Sequence, residues 1–162
     1  MILGGMESAM RKQKSSRNCF VCGRMNPVGL KAFFYEDDDG KVVSNYSIPE
    51  DYNGYPGVAH GGIVTALLDE AMGRTAIGEE IWLMTAKMTT KFHRPTPTET
   101  PLTITAWITR KRRKTYEVHG EVRLEDGTLT AEADGIYFVV PEEEFGGFDE
   151  ERPYWRVYGD DE

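Results

Sequence analysis

Long apolar runs are missing from this chain. None approaches the ~18 consecutive residues that a membrane-spanning helix needs, and nothing before residue 20 reads as a secretory leader. The default expectation is therefore a cytoplasmic protein with no membrane partner, with Met1 and Met6 both open as its start. Cysteine is nearly absent. Cys19 and Cys22 make one C-x-x-C, half of the four ligands that a structural zinc takes, and no second pair follows. Four thiolates could gather only across a two-fold axis. Two semi-buried thiols in a tight turn are the simpler expectation, with no metal. No strand–C-x-x-C–helix pattern surrounds them either, which sets aside a thioredoxin-like role. Basic stripes are lacking beyond Arg110-Lys111-Arg112-Arg113-Lys114, so nucleic acid is not an expected partner.

The net charge of -8 looks hostile to an anionic ligand until it is located. Residues 141–162 carry nine acids against Arg152 and Arg156, which gives that stretch -7 and leaves about -1 for the other 140 residues. A small phosphorylated ligand is compatible with such a body. The length of 162 residues is that of one domain with a real core. Three parts are expected: a flexible polar segment over 1–18, a domain over 19–141 and an acidic tail over 142–162.

Turn-forming residues run from Asn18 to Leu30, and strand patterns follow at about Leu30–Tyr35 and Lys41–Ile48. The loop from Asp51 to Ala59, rich in Gly, Tyr and Pro, looks unable to hold a regular element. One helix is expected from about Gly61 to Thr75. At 100° per residue, Ile63, Val64, Leu67, Leu68, Ala71 and Met72 cover one continuous half, while Thr65, Ala66, Asp69 and Gly73 lie opposite. Strands at roughly 81–94, 101–111, 115–125 and 128–140 complete the chain, two of them with clean alternation and a hairpin signal at Glu125-Asp126-Gly127. The order β-β-α-β-β-β-β gives an α+β fold, one curved antiparallel sheet around one long helix.

Asp69 is a mid-helix acid. Its neighbour Glu70 precedes Arg74 by four, a favourable ion pair, whereas Asp69 meets Gly73 at that offset. Pattern alone leaves a solvated acid and a functional one equally open. His60-Gly61-Gly62 stands where the helix begins. Free N–H groups and the positive end of the helix dipole would meet there, and Gly lets a carbonyl oxygen approach. The turn reads either as a plain loop-to-helix junction needing permissive backbone angles or, with the stronger physical case, as an oxyanion site with Gly61 N–H as donor, worth ~3 kcal/mol toward a transition state. His60 suits a positioning group better than a base, since no acid lies near it in sequence.

Gly57-Val58-Ala59-His60-Gly61-Gly62 followed by Leu68-Asp69-Glu70-Ala71-Met72-Gly73 resembles the hotdog-fold acyl-CoA thioesterases of the phenylacetate-pathway type. Met84-Thr85-Ala86, Phe92-His93-Arg94-Pro95 and Cys19-Phe20-Val21-Cys22-Gly23 extend the resemblance over about residues 18–140. It implies hydrolysis of an acyl-CoA to free acid and coenzyme A, with Asp69 as nucleophile or general base and Thr85 assisting. It also implies that the His60-Gly61-Gly62 backbone polarises the carbonyl, and that coenzyme A lies across a subunit interface. No cofactor is expected, coenzyme A being part of the substrate, and the partner is a second copy, in a dimer or a tetramer. Asn53 and Gly62 are candidates for the substrate pocket, although Asn53 reads equally as a turn residue. Arg94, Arg112 and Arg113 are candidates for the phosphates, with a solvated hairpin as the alternative for the basic run. Nine helical residues span roughly 13 Å, so Gly61 and Asp69 of one chain can hardly act on one carbonyl. If both are catalytic, they come from different subunits. Two rivals stand beside hydrolysis. A non-catalytic acyl-CoA sensor would need an output module that ~18 residues before Cys19 cannot hold. A hotdog hydratase or dehydratase usually pairs Asp with a helix-borne His, and no His lies between Gly61 and His93.

Overall fold

Alternating burial along three of four long segments builds the sheet. The computed structural model describes residues 9–162. In chain order its strands are β1 (Arg11–Lys12), β2 (Tyr35–Glu36), β3 (Val42–Ser47), β4 (Asn53–Tyr55), β5 (Val58–Ala59), β6 (Trp82–Phe92), β7 (Pro101–Lys111), β8 (Thr115–Leu124) and β9 (Leu129–Val140). The α-helices are α1 (Gly61–Gly73) and α2 (Phe148–Glu151). Seven strands form one antiparallel sheet in the order β1-β2-β3-β7-β8-β9-β6, with β4 and β5 as a separate ribbon. The α+β expectation holds.

Leu102, Ile104 and Ala106 of β7 and Tyr116, Val118 and Val122 of β8 turn one face of the sheet inward. Onto that face α1 lays Val64, Leu67, Leu68, Ala71 and Met72, all buried. Each large side chain so covered contributes ~1.5–3 kcal/mol, so packing holds this helix more than intrinsic propensity does. The helix lies close to the sheet at Gly120, where a Cβ would come within 3.0 Å of Met72 Cγ. A side chain there would press on Met72 and Leu68, which would have to give by a few tenths of an ångström. No helix among the described residues is long and apolar enough to cross a membrane.

Four local expectations differ from the structure. The segment Leu30–Tyr35 is extended, but only Tyr35 of it joins the sheet. Leu30 and Ala32 donate instead to the carbonyls of Phe20 and Val21, at 2.8 and 2.9 Å. Residues 9–18, expected to fray, include β1, which pairs with β2, and Ser15, whose N–H donates to Arg156 O at 2.9 Å. Residues 1–8 lie outside the described part. The loop from Asp51 to Ala59 does hold regular structure, a 3-10 turn (Glu50–Tyr52) and the β4–β5 ribbon. The Glu50 carboxylate organises it by accepting from Asn53, Gly57 and Thr98. The acidic stretch also packs back on the domain. Trp82 meets Phe148 and Trp155 at ring distances of 5.0 and 5.1 Å, and Tyr158 is buried. Its acids find the basic N-terminal segment, with Lys12–Asp160 at 2.6 Å and Arg17–Glu151 at 3.6 Å. A run of one sign needs a counter-charge to lie down on a fold, and the charged residues of the first segment supply it.

Candidate active site

The side of α1 that faces neither the core nor open solvent is the one with small residues. A Cβ at Gly73 would sit 3.8 Å from the Tyr137 ring and 3.9 Å from Leu83 O, so the β6–β9 edge of the sheet runs close beneath Asp69. Two hydroxyls reach its carboxylate. Thr85 Oγ1 donates to Asp69 Oδ1 at 2.6 Å and Tyr137 OH donates to the same oxygen at 2.9 Å. Thr85 and Tyr137 are direct cross-strand partners, and a β-bulge follows Thr85 in β6, a device that re-aims side chains next to a site. Two donors on Oδ1 fix the plane of the carboxylate. Oδ2 meets no donor among the described residues and is left as the oxygen available for chemistry. Burial, reinforced by the Asp69 charge, pushes the Tyr137 hydroxyl well above its ordinary pKa, so it stays a proton donor throughout the working range.

Tyr137 is the residue that sequence reasoning misses. A tyrosine inside a strand reads as core packing, and Tyr137 is indeed fully buried. Only the pairing of β9 with β6 shows its hydroxyl to be a partner for Asp69. Tyr137→Phe keeps the ring and removes one of the two donors. Turnover should fall by about tenfold, equivalent to ~1.4 kcal/mol, with the fold retained in circular dichroism. Unchanged turnover would show the hydroxyl to be a packing accessory.

The other end of α1 is prepared differently. His60 caps the helix, its Nδ1 accepting the Gly62 N–H at 2.9 Å. That bond occupies the lone pair on Nδ1 and makes His60 a device for holding the turn. Gly61 N–H, by contrast, meets no acceptor among the described residues. The loop is locked from both sides, as His60 N donates to Tyr52 O at 2.9 Å and Ala59 N to Thr96 O at 2.8 Å. Gly61 opens into a cleft of about 420 Å³ shared with Val64, Phe92, Arg94 and Thr96. Asp69 does not line this cleft. The structure thus keeps the donor and the carboxylate apart within one chain.

The remaining candidates divide between the two ends. Arg94 is exposed in the Gly61 cleft, following β6 past Phe92. Arg112 and Arg113 lie in the β7–β8 turn, near the Thr85–Tyr137 end of the sheet, because Tyr116 pairs with Tyr137. Arg112 lies 3.7 Å from Glu117, whereas Arg113 makes no ion pair among the described residues. Antiparallel pairing therefore does not bring the three arginines together in one protomer. Asn53 Nδ2 donates to Glu50 at 2.8 Å, which commits its amide to the turn. Glu70 pairs with Arg74 at 2.8 Å as the spacing predicts, and Arg74 is buried. Sulfurs of Cys19 and Cys22 and a Glu70 oxygen lie within 4.8 Å of one another. A cation there would have to share Glu70 with a buried guanidinium, so this donor set does not suit one.

Residues 56–131 match the family model of the thioesterase superfamily. The acyl-coenzyme A thioesterase THEM4 of Bos taurus is 25% identical over 131 residues, covering 80% of this chain and 54% of that protein. Among solved structures, a thioesterase superfamily protein is 31% identical with a TM-score of 0.71, over 76% of this chain and 61% of the other. The E. coli PaaI protein from the phenylacetic acid degradation operon superposes with a TM-score of 0.64 at 20% identity, over 69% and 81% of the two chains. The chain spans about half the length of the curated relative.

Proposed function

From the premise of a hotdog domain of the thioesterase superfamily, we propose that this chain hydrolyses an acyl-coenzyme A to a free carboxylic acid and coenzyme A, at a site completed by a second copy. The observation that carries this reading is the split between an oriented carboxylate more than two turns into α1 and an unpartnered donor N–H at its start. Thioester hydrolysis needs both functions. The carbonyl oxygen gains negative charge as the acyl carbon is attacked, and a fixed N–H donor at a helix N-terminus stabilises it. The attacking oxygen is either Asp69 Oδ2 or a water that Oδ2 deprotonates. Thr85 and Tyr137 are positioning residues, holding Oδ1 so that Oδ2 faces the substrate.

A second copy supplies what one chain lacks. In the seven-stranded sheet β6 pairs only with β9, so its other edge is open, and Met84 and Phe92 along it are about half exposed. An open apolar edge of this length invites another strand. Two β6 edges joined antiparallel about a two-fold axis would run in opposite directions. The Thr85–Asp69 end of one copy would then meet the Phe92–Gly61 end of its partner. The same operation brings the Arg94 end of one copy and the Arg112–Arg113 turn of the other to one end of the continuous sheet, where coenzyme A phosphates would find guanidinium groups.

Release of free thiol from acyl-CoAs of short, long and aromatic acyl groups tests the reading directly. Saturable binding of acyl-CoA without turnover across that panel would instead favour a sensor. Arg94→Ala should raise KM for the best acyl-CoA by roughly tenfold, the worth of one charge-assisted hydrogen bond, with turnover little changed. An acyl-pantetheine, which lacks the nucleotide, should show no such rise. Equal losses with both substrates would make Arg94 structural.

A further inference from the structure

The cluster around Cys19 and Cys22 has a chemistry that the hydrolytic site does not use. The two cysteines sit in a tight helical turn closed by Gly23 N–H donating to Cys19 O at 2.8 Å. Their sulfurs lie within 4.8 Å, so side-chain rotation alone brings them toward bonding distance. Backbone and hydroxyl groups fix the turn. Cys19 N–H donates to Ser16 Oγ at 3.0 Å, Val21 N–H approaches Cys19 Sγ at 3.4 Å, and Ser16 Oγ lies 3.6 Å from Cys22 Sγ.

The charges around the pair differ for the two sulfurs. Cys22 is buried beside Arg74, a guanidinium only 3% exposed whose Nη2 has no hydrogen-bond partner among the described residues. The neighbouring Cys19 thiol, opposed by burial and helped by the Arg74 charge, holds the Cys22 thiol below its ordinary value. Cys19 is the reverse. The Cys22 sulfur beside it, then burial and the Glu70 carboxylate, keep its proton on. Cys19 Sγ also lies 3.5 Å from Glu70 Oε2, a waiting proton acceptor. A thiolate, a neighbouring thiol and a base for that thiol are the three parts of a dithiol that closes in two steps.

We propose that Cys19 and Cys22 are a modification site, a dithiol that a hydroperoxide oxidises to an intramolecular disulfide within the folded domain. The Cys22 thiolate attacks one oxygen of the peroxide. A sulfur–oxygen bond forms, the O–O bond breaks and hydroxide leaves, to be protonated by solvent. Cys19 passes its proton to Glu70 and attacks the Cys22 sulfur. The S–S bond forms, the S–O bond breaks, and the departing hydroxide takes the proton from Glu70 as water. The balance is dithiol plus hydrogen peroxide giving disulfide plus two waters. Cys22 is 1% exposed and Cys19 only partly buried, so access to the pair is from the Cys19 side, where a small hydroperoxide is less hindered than a bulky disulfide.

The inference stands independently of the hydrolytic reading, because its test reads sulfur and not turnover. Reduced full-length protein is treated with hydrogen peroxide, quenched, alkylated with N-ethylmaleimide and analysed by mass spectrometry. Both alkylatable thiols should disappear at least ~10-fold faster in the folded protein than in the urea-unfolded chain, and dithiothreitol should restore them. Cys19→Ser should stop at a sulfenic acid on Cys22, which dimedone traps once the quenched protein is unfolded in urea, and Cys22→Ser should leave Cys19 nearly inert. Equal rates in folded and unfolded chains would overturn the proposal. So would dimedone capture on wild-type protein without disulfide.

Discussion

Asp69→Asn should lower turnover by at least ~100-fold while the protein stays folded. Asn keeps an Oδ1 that can accept from Thr85 and Tyr137, so the hydrogen bonds at 2.6 and 2.9 Å can persist. What disappears is the charge and basicity of Oδ2. The neighbouring substitution Glu70→Gln is the control, and the structure gives it a cost of a different kind. It should leave turnover within a few-fold of wild type, because Glu70 faces Arg74 and the cysteines rather than Thr85. It should lower stability by ~2–3 kcal/mol in urea unfolding, since a buried guanidinium would lose its carboxylate. Arg74 keeps its bond to Lys14 O, and the amide oxygen can still accept from its Nε, but the counter-charge is gone. Equal, small losses of turnover from both substitutions would sink the assignment of Asp69.

Mixing two dead variants should restore activity. Asp69→Asn lacks the carboxylate, and Gly61→Pro lacks the donor N–H. The structure supports the second choice. His60, the residue before it, already has φ -60 and ψ 133, the extended conformation that a following proline demands. Gly61 has no positive φ and opens the helix, where proline is favoured. The atom nearest a new Cβ is Phe92 Cζ at 3.4 Å, on a half-exposed side chain that can shift. Each homodimer should be nearly inactive. After subunit exchange at equal amounts, half the dimers are mixed, and each carries one site with a sound donor and a sound carboxylate. Activity should therefore rise to roughly a quarter of wild type. With folding and exchange demonstrated for both variants, no recovery would falsify the shared site.

Both predictions use residues visible in the sequence, and the reason is periodicity. A helix repeats every 3.6 residues and a strand every two, so the half-circle of apolar residues on α1 and the alternation in β7 and β8 state their own buried faces. Helix ends are local too. His60-Gly61-Gly62 could be read as an N-terminus with a free donor because everything that makes it one lies within three residues. Asp69 has no partner four residues on, again a local fact. The turn at Glu50 is only partly local, through Asn53 and Gly57; its third anchor, Thr98, lies 48 residues away, and that is why the loop looked structureless.

Sequence by itself therefore determined the helix, the alternating faces of two strands and the turn that opens the helix, while Asp69 came forward only with the family resemblance. Tertiary structure decided which hydroxyls serve that carboxylate, since Tyr137 reaches Asp69 across 68 residues through the β6–β9 register. It also placed the arginines at opposite ends of the sheet, and it laid the acidic stretch against the basic segment that begins the described chain. The physical reason is the same in each case. Burial periodicity is a property of neighbours along the chain, whereas register and charge pairing between distant segments exist only once the sheet has closed over the helix.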